Sequence, residues 1–348
     1  MKQTFNVNIV SQEPLPTPNE IRQELPLSSL ASDNVYEFRR TIENILDGKD
    51  KRLMIFSGPC SIDNIEAAKD YGKRLLKLSK EVSDKIFIIM RAYFEKPRTI
   101  VGWKGMVYDP FLDGSCQIEK GIRISRKLLI ELAEAGVPVA TEMLEPVIPQ
   151  YIADLVSWAA IGARTTGSQT HRQLASGLSM PTGFKNTTDG DIRIAVEAIS
   201  SAGSQHAFLG VIDDGRTGIF RTRGNKYCHL VLRGGSNGTN FGSEYVAFSK
   251  EILRKAGLAP AMIVDCSHGN SNKECGRQSI AFRDALDQIS HGETAIRGLM
   301  LESYIIAGRQ DINIGKMTPG LSVMDACIGW EETESIIREA HSKLSPCK

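Results

Sequence analysis

Residues able to do chemistry recur at one kind of place in this 348-residue sequence, just past the end of a short apolar run. They are Cys60, Arg91, Glu142, Arg164, Lys185, Arg233, His268 and Glu302. With Lys96 and Arg98, the cations Arg91, Arg164, Lys185 and Arg233 form a cluster in a chain whose formal net charge is only +1. Such a cluster repels itself unless anions offset it. Arginine forks suit bidentate phosphate or carboxylate, and lysine acts as a point charge. The number of cations implies more than one anionic group, as in a substrate with a carboxylate and a phosphate beside a second phosphorylated substrate. Alternatively, some of them pair with acids such as Glu142.

A second group is Cys60, His268, Glu302 and Asp325. A thiolate, an imidazole and two carboxylates suit one borderline divalent ion, with Mn preferred and Fe, Co or Zn possible. The thiolate disfavours Mg and Ca. An open coordination position would polarise a carbonyl oxygen. The separations make no metal-spacing motif, so Cys60 is otherwise a small buried hydrophobe and His268 a hydrogen-bonded loop residue. Lys185 also offers a rival chemistry, a Schiff base with a sugar, its pKa lowered by neighbouring arginines. Gly58-Pro59 and Gly234-Gly235 form neither GxGxxG nor a P-loop, which argues against a nucleotide site.

Positioning these residues together requires a particular scaffold. The apolar runs occupy residues 53–56, 86–90, 137–140, 159–163, 182–184, 229–232, 262–264 and 298–301. Each is short and continuously apolar, as a parallel strand buried on both faces should be. Helical periodicity fills most of the intervals, for example over 122–135, 192–202 and 245–256. Strands alternating with helices predict an α/β fold, a (β/α)8 TIM barrel, with every strand end on the C-terminal rim where active sites of this fold lie. Two short runs, 206–212 and 218–222, flank Asp213-Asp214-Gly215 and predict an inserted β-hairpin within about 206–228.

Residues 1–34, with Pro14, Pro16, Pro18 and Pro26, read as an extended N-terminal arm, either a disordered tail or an arm packed on a neighbouring subunit. A helix is expected over 35–46, and residues 35–348 form the single catalytic barrel. Composition is ordinary, with 41% hydrophobic and 24% charged residues, and the near-zero net charge gives no field to draw the chain onto nucleic acid or a membrane. There is no signal-peptide pattern or membrane-length apolar run, and the seven cysteines are odd in number and unpaired in spacing. These features predict a cytoplasmic protein with reduced thiols.

Longer motifs carry a resemblance. Gly58-Pro59-Cys60-Ser61-Ile62, Arg91-Ala92-Tyr93-Phe94-Glu95-Lys96-Pro97-Arg98-Thr99, Gly162-Ala163-Arg164-Thr165-Thr166, Asp265-Cys266-Ser267-His268-Gly269-Asn270 and Asp325-Ala326-Cys327-Ile328-Gly329-Trp330 resemble the type I 3-deoxy-D-arabino-heptulosonate 7-phosphate (DAHP) synthases, most closely the tyrosine-sensitive branch. The similarity runs from about Arg39 to Glu332. It implies condensation of phosphoenolpyruvate with erythrose 4-phosphate, the first step of the shikimate pathway to aromatic amino acids. By resemblance, Cys60, His268, Glu302 and Asp325 are metal ligands. Lys96, Cys60, His268 and Asp325 are catalytic. Arg91, Lys96, Ala163, Arg164, Lys185 and Arg233 contact phosphoenolpyruvate, and Pro97, Arg98 and Thr99 the sugar phosphate. The implied metal mechanism argues against the Schiff base.

The resemblance breaks at Asp63, Gly167, Thr187, Ser236 and Met324, where the family commonly has other residues. These positions flank the ligands, and such changes retune a metal site by ~10–100-fold. A paralogue using a different or amino-substituted aldose phosphate, or a non-catalytic phosphoenolpyruvate-binding homologue, is therefore the alternative. The resemblance further implies an allosteric site for an aromatic amino acid at Gln150, Leu174, Leu178, Ser179, Phe208, Gly210 and Val211. Gly210 leaves room for a phenolic hydroxyl and so favours tyrosine; plain packing of the hairpin on the barrel is the other reading. A homodimer or homotetramer is also implied.

Overall fold

The structure is a computed structural model that describes residue 2 and residues 4–345. The outer ends of the expected arm and barrel, residues 1, 3 and 346–348, lie outside the described residues.

The strands are β1 (Leu53–Gly58), β2 (Ile86–Arg91), β3 (Val139–Glu142), β4 (Trp158–Ile161), β5 (Thr182–Lys185), β6 (Ala207–Val211), β7 (Thr217–Arg221), β8 (Cys228–Leu232), β9 (Met262–Asp265) and β10 (Ile296–Glu302). The helices are α1 (Pro18–Glu24), α2 (Ser29–Leu46), α3 (Ile65–Val82), α4 (Ile118–Glu134), α5 (Pro149–Ile152), α6 (Gln169–Gly177), α7 (Arg193–Ala202), α8 (Ser243–Lys255), α9 (Gln278–Ser290) and α10 (Trp330–Lys343). Strands β1, β10, β9, β8, β5, β4, β3 and β2 close a parallel barrel in that order. The expected (β/α)8 architecture is therefore present. The remaining strands, β6 and β7, pair antiparallel as the inserted hairpin, and β5 pairs directly with β8.

Alternate strand residues face opposite sides, so one run feeds two cores. Met54, Phe56, Ile89, Trp158, Ile263 and Met300 pack inside the barrel, while Leu53, Ile55, Ile88 and Leu299 join the layer between sheet and helices. Burial on both faces explains why the runs are continuously apolar rather than alternating. At the barrel centre Phe56 packs on Trp158 with centroids 4.7 Å apart, and the Trp158 indole N–H donates to His229 Nε2 at 3.0 Å.

The N-terminal region departs from an extended arm. Thr17 builds a capping box with Glu20, Pro18 takes the first helical turn, and α1 follows. Ser28 caps α2, which starts before the expected residue 35. Pro18 thus stands at a helix start and Pro26 between two helices, while Pro14 and Pro16 lie in the non-helical stretch before α1. Nor does this segment stand free. Arg22 bridges Asp213 of the hairpin at 2.6 Å and donates to the Gln150 carbonyl at 3.0 Å, and Tyr151 donates to the Pro16 carbonyl at 2.8 Å. It packs on its own barrel and hairpin.

Candidate active site

Each strand end delivers its side chain to one rim. Arg91, Glu142, Lys185 and Glu302 are the last residues of β2, β3, β5 and β10, and Cys60, Arg164, Arg233 and His268 follow within three residues of β1, β4, β8 and β9. A cavity of about 670 Å³ opens there. Its wall includes Cys60, Lys96, Pro97, Arg98, Thr99, Ala163, Arg164, Lys185, Arg233, His268 and Asp325. Ser236 and Met324, two of the departures, also line it.

Arg91 and Glu302 are placed differently. Both are buried and paired with each other, Arg91 Nη2 to Glu302 Oε1 at 3.1 Å, outside the cavity wall. The guanidinium fixes Glu302 while its Nε is buried without a hydrogen-bond partner among the described residues. Gln278 clamps Glu302 further, donating to its carbonyl and accepting from its N–H.

The candidate metal donors of Cys60, Glu302 and Asp325 lie within 4.8 Å of one another. His268 stands at their edge, Nε2 3.6 Å from Glu302 Oε1, with Nδ1 held by Asp265 Oδ2 at 3.0 Å. Its backbone takes φ +56°, a conformation non-glycine residues rarely adopt and one that costs of order 1–3 kcal/mol where the surroundings enforce it. Burial first, then Glu302, pushes the Cys60 thiol up to about 12. A thiol so placed ionises only beside a cation. One soft donor, an imidazole and two carboxylates in one small volume fit a borderline divalent ion.

The cations divide in two. Lys185 Nζ meets the buried Asp265 Oδ2 at 2.9 Å. Burial opposes the Lys185 charge, but Asp265 and then Tyr93 outweigh it and raise its pKa. A lysine held protonated is a poor nucleophile, so the Schiff-base chemistry lacks its free amine. Lys96, Arg164 and Arg233 make no ion pair among the described residues. Arg164 donates to Thr99 Oγ1 at 3.1 Å, and Arg233 to the Gly234 carbonyl at 3.1 Å. Among the described residues Glu142 pairs with none of the cations, and its Oε1 is buried without a hydrogen-bond partner. Its approach is tight: a Cβ on Gly162 would lie 2.2 Å from that oxygen.

Two residues of the site have roles that residue type and spacing do not assign. Asp265 directly follows the 262–264 run, so the strand-end pattern contains it. Tyr93 lies under Arg91, Lys96 and Lys185, at 4.2, 5.1 and 5.9 Å from its ring centroid, a cation–π platform with no spacing signature. A separate cavity of about 260 Å³ lies between the hairpin and α6, and all seven candidate effector positions, Gln150, Leu174, Leu178, Ser179, Phe208, Gly210 and Val211, line it. Arg22 and Asp154 add charge of both signs.

Comparison with known proteins agrees with this geometry. The DAHP synthetase I family profile matches residues 26–338. The Tyr-sensitive phospho-2-dehydro-3-deoxyheptonate aldolase of Escherichia coli (strain K12) is 46% identical over 342 residues, covering 98% of this chain and 96% of that one. The phenylalanine-inhibited enzyme of Saccharomyces cerevisiae (strain ATCC 204508 / S288c) is 48% identical over 337 residues, covering 94% and 91%. The solved phospho-2-dehydro-3-deoxyheptonate aldolase of Francisella tularensis SCHU S4 superposes with a TM-score of 0.95 at 44% identity, covering 97% of this chain and 98% of that one. A match of this extent, in sequence and in fold, means that the chain belongs to the DAHP synthetase I family.

Proposed function

We propose that this chain condenses phosphoenolpyruvate with erythrose 4-phosphate to give DAHP and inorganic phosphate. The observation that carries the proposal is a rim cavity with Lys96, Arg164 and Arg233, unpaired among the described residues, beside the Cys60–Glu302–Asp325 donors. Arg91, Lys96, Ala163, Arg164, Lys185 and Arg233 hold the carboxylate and phosphate of phosphoenolpyruvate, and Arg91 also fixes Glu302. Pro97, Arg98 and Thr99 hold the sugar phosphate. Cys60, His268, Glu302 and Asp325 would hold a divalent ion, Mn by preference, which when bound supplies a Lewis acid for the aldehyde oxygen. Cations packed on Tyr93 keep phosphoenolpyruvate oriented so that its third carbon faces the aldehyde. A bond forms between these carbons, water adds to the second carbon, and phosphate leaves by carbon–oxygen cleavage.

With Mn present, both substrates are expected to yield one phosphate per phosphoenolpyruvate consumed. Release only with another aldose phosphate would favour the specialised-paralogue reading. No release, with phosphoenolpyruvate still raising the melting temperature, would leave a binding-only homologue.

The hairpin cavity is proposed as the site of aromatic feedback, with tyrosine as effector. A Cβ at Gly210 would meet the Phe220 ring at 2.8 Å, and Phe220 stacks on Phe208 at 5.6 Å. The bare Gly210 therefore preserves room for a phenol. Tyrosine is expected to inhibit turnover more strongly than phenylalanine or tryptophan, and Gly210→Ser to weaken that response; stronger inhibition by either of the others would overturn the assignment. Exposed Val7, Ile9 and Val10 support a homo-oligomeric contact, a dimer or tetramer. No helix among the described residues is long and apolar enough to cross a membrane. Free Cys60, Cys116, Cys228, Cys266, Cys275 and Cys327 suit a reducing, cytoplasmic setting.

A further inference from the structure

Asp63 lies in the connection between β1 and α3, three residues beyond Cys60. Both of its oxygens are engaged by one distant segment. Oδ1 accepts from the Tyr304 hydroxyl at 3.2 Å, and Oδ2 accepts from the Val323 N–H at 3.2 Å. Tyr304 and Val323 belong to the connection between β10 and α10, which also carries Asp325.

That connection is stiffened from within. Backbone bridges join Ser303 to Ile328, Gly308 to Cys327 and Arg309 to Ser322. The Gln310 side chain ties the Thr318 and Leu321 carbonyls, and Ser322 Oγ donates to the Asp325 carbonyl. Its base is held to β1 by the Ser303 N–H on the Gly58 carbonyl. Asp63 adds the side-chain anchor farther out, grasping Val323 two residues before Asp325. These bonds tie Val323 and Asp325 into one braced segment, so releasing Val323 is expected to shift Asp325 rather than only slacken the chain nearby.

The chemistry of Asp63 fits such an anchor and little else. Its carboxyl makes no ion pair among the described residues: burial pushes it up to about 6, while bonds from Tyr304 and Val323, then from the Asp63 and Asn64 backbone, pull it down. A carboxylate withdrawn from water without a cationic partner is costly, so its two hydrogen bonds are what it offers the fold.

We infer that Asp63 is a positioning residue that fixes the spacing between Cys60 and Asp325, joining the segments that carry these two metal donors. The inference rests on the metal reading given under Proposed function. It assigns to Asp63 a share of metal affinity without any contact to the ion.

The test uses the full chain, stripped of metal and titrated with Co(II), with the near-ultraviolet thiolate-to-cobalt band and the dissociation constant as readouts. Asp63→Ala is expected to weaken Co(II) binding by ~10–100-fold and to diminish the band. Asp63→Asn should restore both, because its amide can accept from the Val323 N–H and donate to the Tyr304 oxygen. Tyr304→Phe, which loses one bond, should fall between them. A merely structural role would lower the melting temperature of the metal-free chain and leave the constant and the band unmoved. The inference is overturned if Asp63→Ala binds Co(II) as the unaltered chain does, or if Asp63→Asn is no better than Asp63→Ala. Should Asp63→Ala fail to fold, an unchanged constant and band in Tyr304→Phe overturn it equally. No cobalt–thiolate band in the unaltered chain would instead overturn the metal reading itself.

Discussion

Replacing Cys60 by alanine is expected to cut phosphate release by about three orders of magnitude and to abolish retention of a divalent ion. Lewis-acid stabilisation is worth several kcal/mol, and each 1.36 kcal/mol is about tenfold in rate. Cys60 is 2% exposed, and its thiol sits beside Glu302 and Asp325, with its pKa driven up to about 12. At neutral pH that group is a neutral thiol unless a cation replaces its proton. Alanine removes the one soft donor and leaves carboxylates with an imidazole at the edge, a set that holds a borderline ion more weakly. Arg91, paired to Glu302, remains and keeps the local charge nearly balanced, so the metal-free variant should retain its fold. Metal content after gel filtration and phosphate release with added Mn check the two halves separately. Full activity of the variant in a strong chelator would refute a metal role.

Lys185→Met is expected to abolish turnover and also to cost about 3–5 kcal/mol of stability, the range for breaking a buried pair from one side. The lysine and Asp265 side chains are 4% and 0% exposed. Burial alone would push the Asp265 carboxyl up; Lys185, then His268, outweigh it and hold it well below the usual carboxylate range. Methionine fills the volume but leaves a buried carboxylate without its ammonium. Urea unfolding should therefore shift sharply, and phosphoenolpyruvate should no longer raise the melting temperature. Adding Asp265→Asn removes the stranded charge, so the double variant should recover most of the stability and none of the turnover. A stability change under about 1 kcal/mol in Lys185→Met would contradict the pair's energetic role.

Much of this site is legible in the sequence because a parallel barrel imposes a rule. Buried strands are continuously apolar, and the polar residue at the end of each one lands on the same rim. The rule locates Cys60, Arg164, Lys185, Arg233 and His268 without knowledge of their contacts. It also contains Asp265, which is overshadowed by His268 three positions on. Helix starts are less legible. Pro18 is read as part of an extended arm, yet it opens a helix, because a residue that interrupts a helix interior is tolerated in its first turn.

The sequence by itself determined the barrel, the hairpin and the inventory of cations and metal donors, because apolar period and residue type are local properties. Only the tertiary structure decided which charges meet. Arg91 and Lys185 look alike as strand-end cations, but one is spent on Glu302 and the other on Asp265, whereas Lys96, Arg164 and Arg233 remain unpaired among the described residues. The positions of Tyr93 beneath three cations and of Asp63 against Val323 were likewise settled there. Ion pairs and hydrogen bonds act over a few ångströms in space. Arg91 and Glu302, 211 positions apart, and Asp63 and Val323, 260 apart, reach that distance only when the barrel closes.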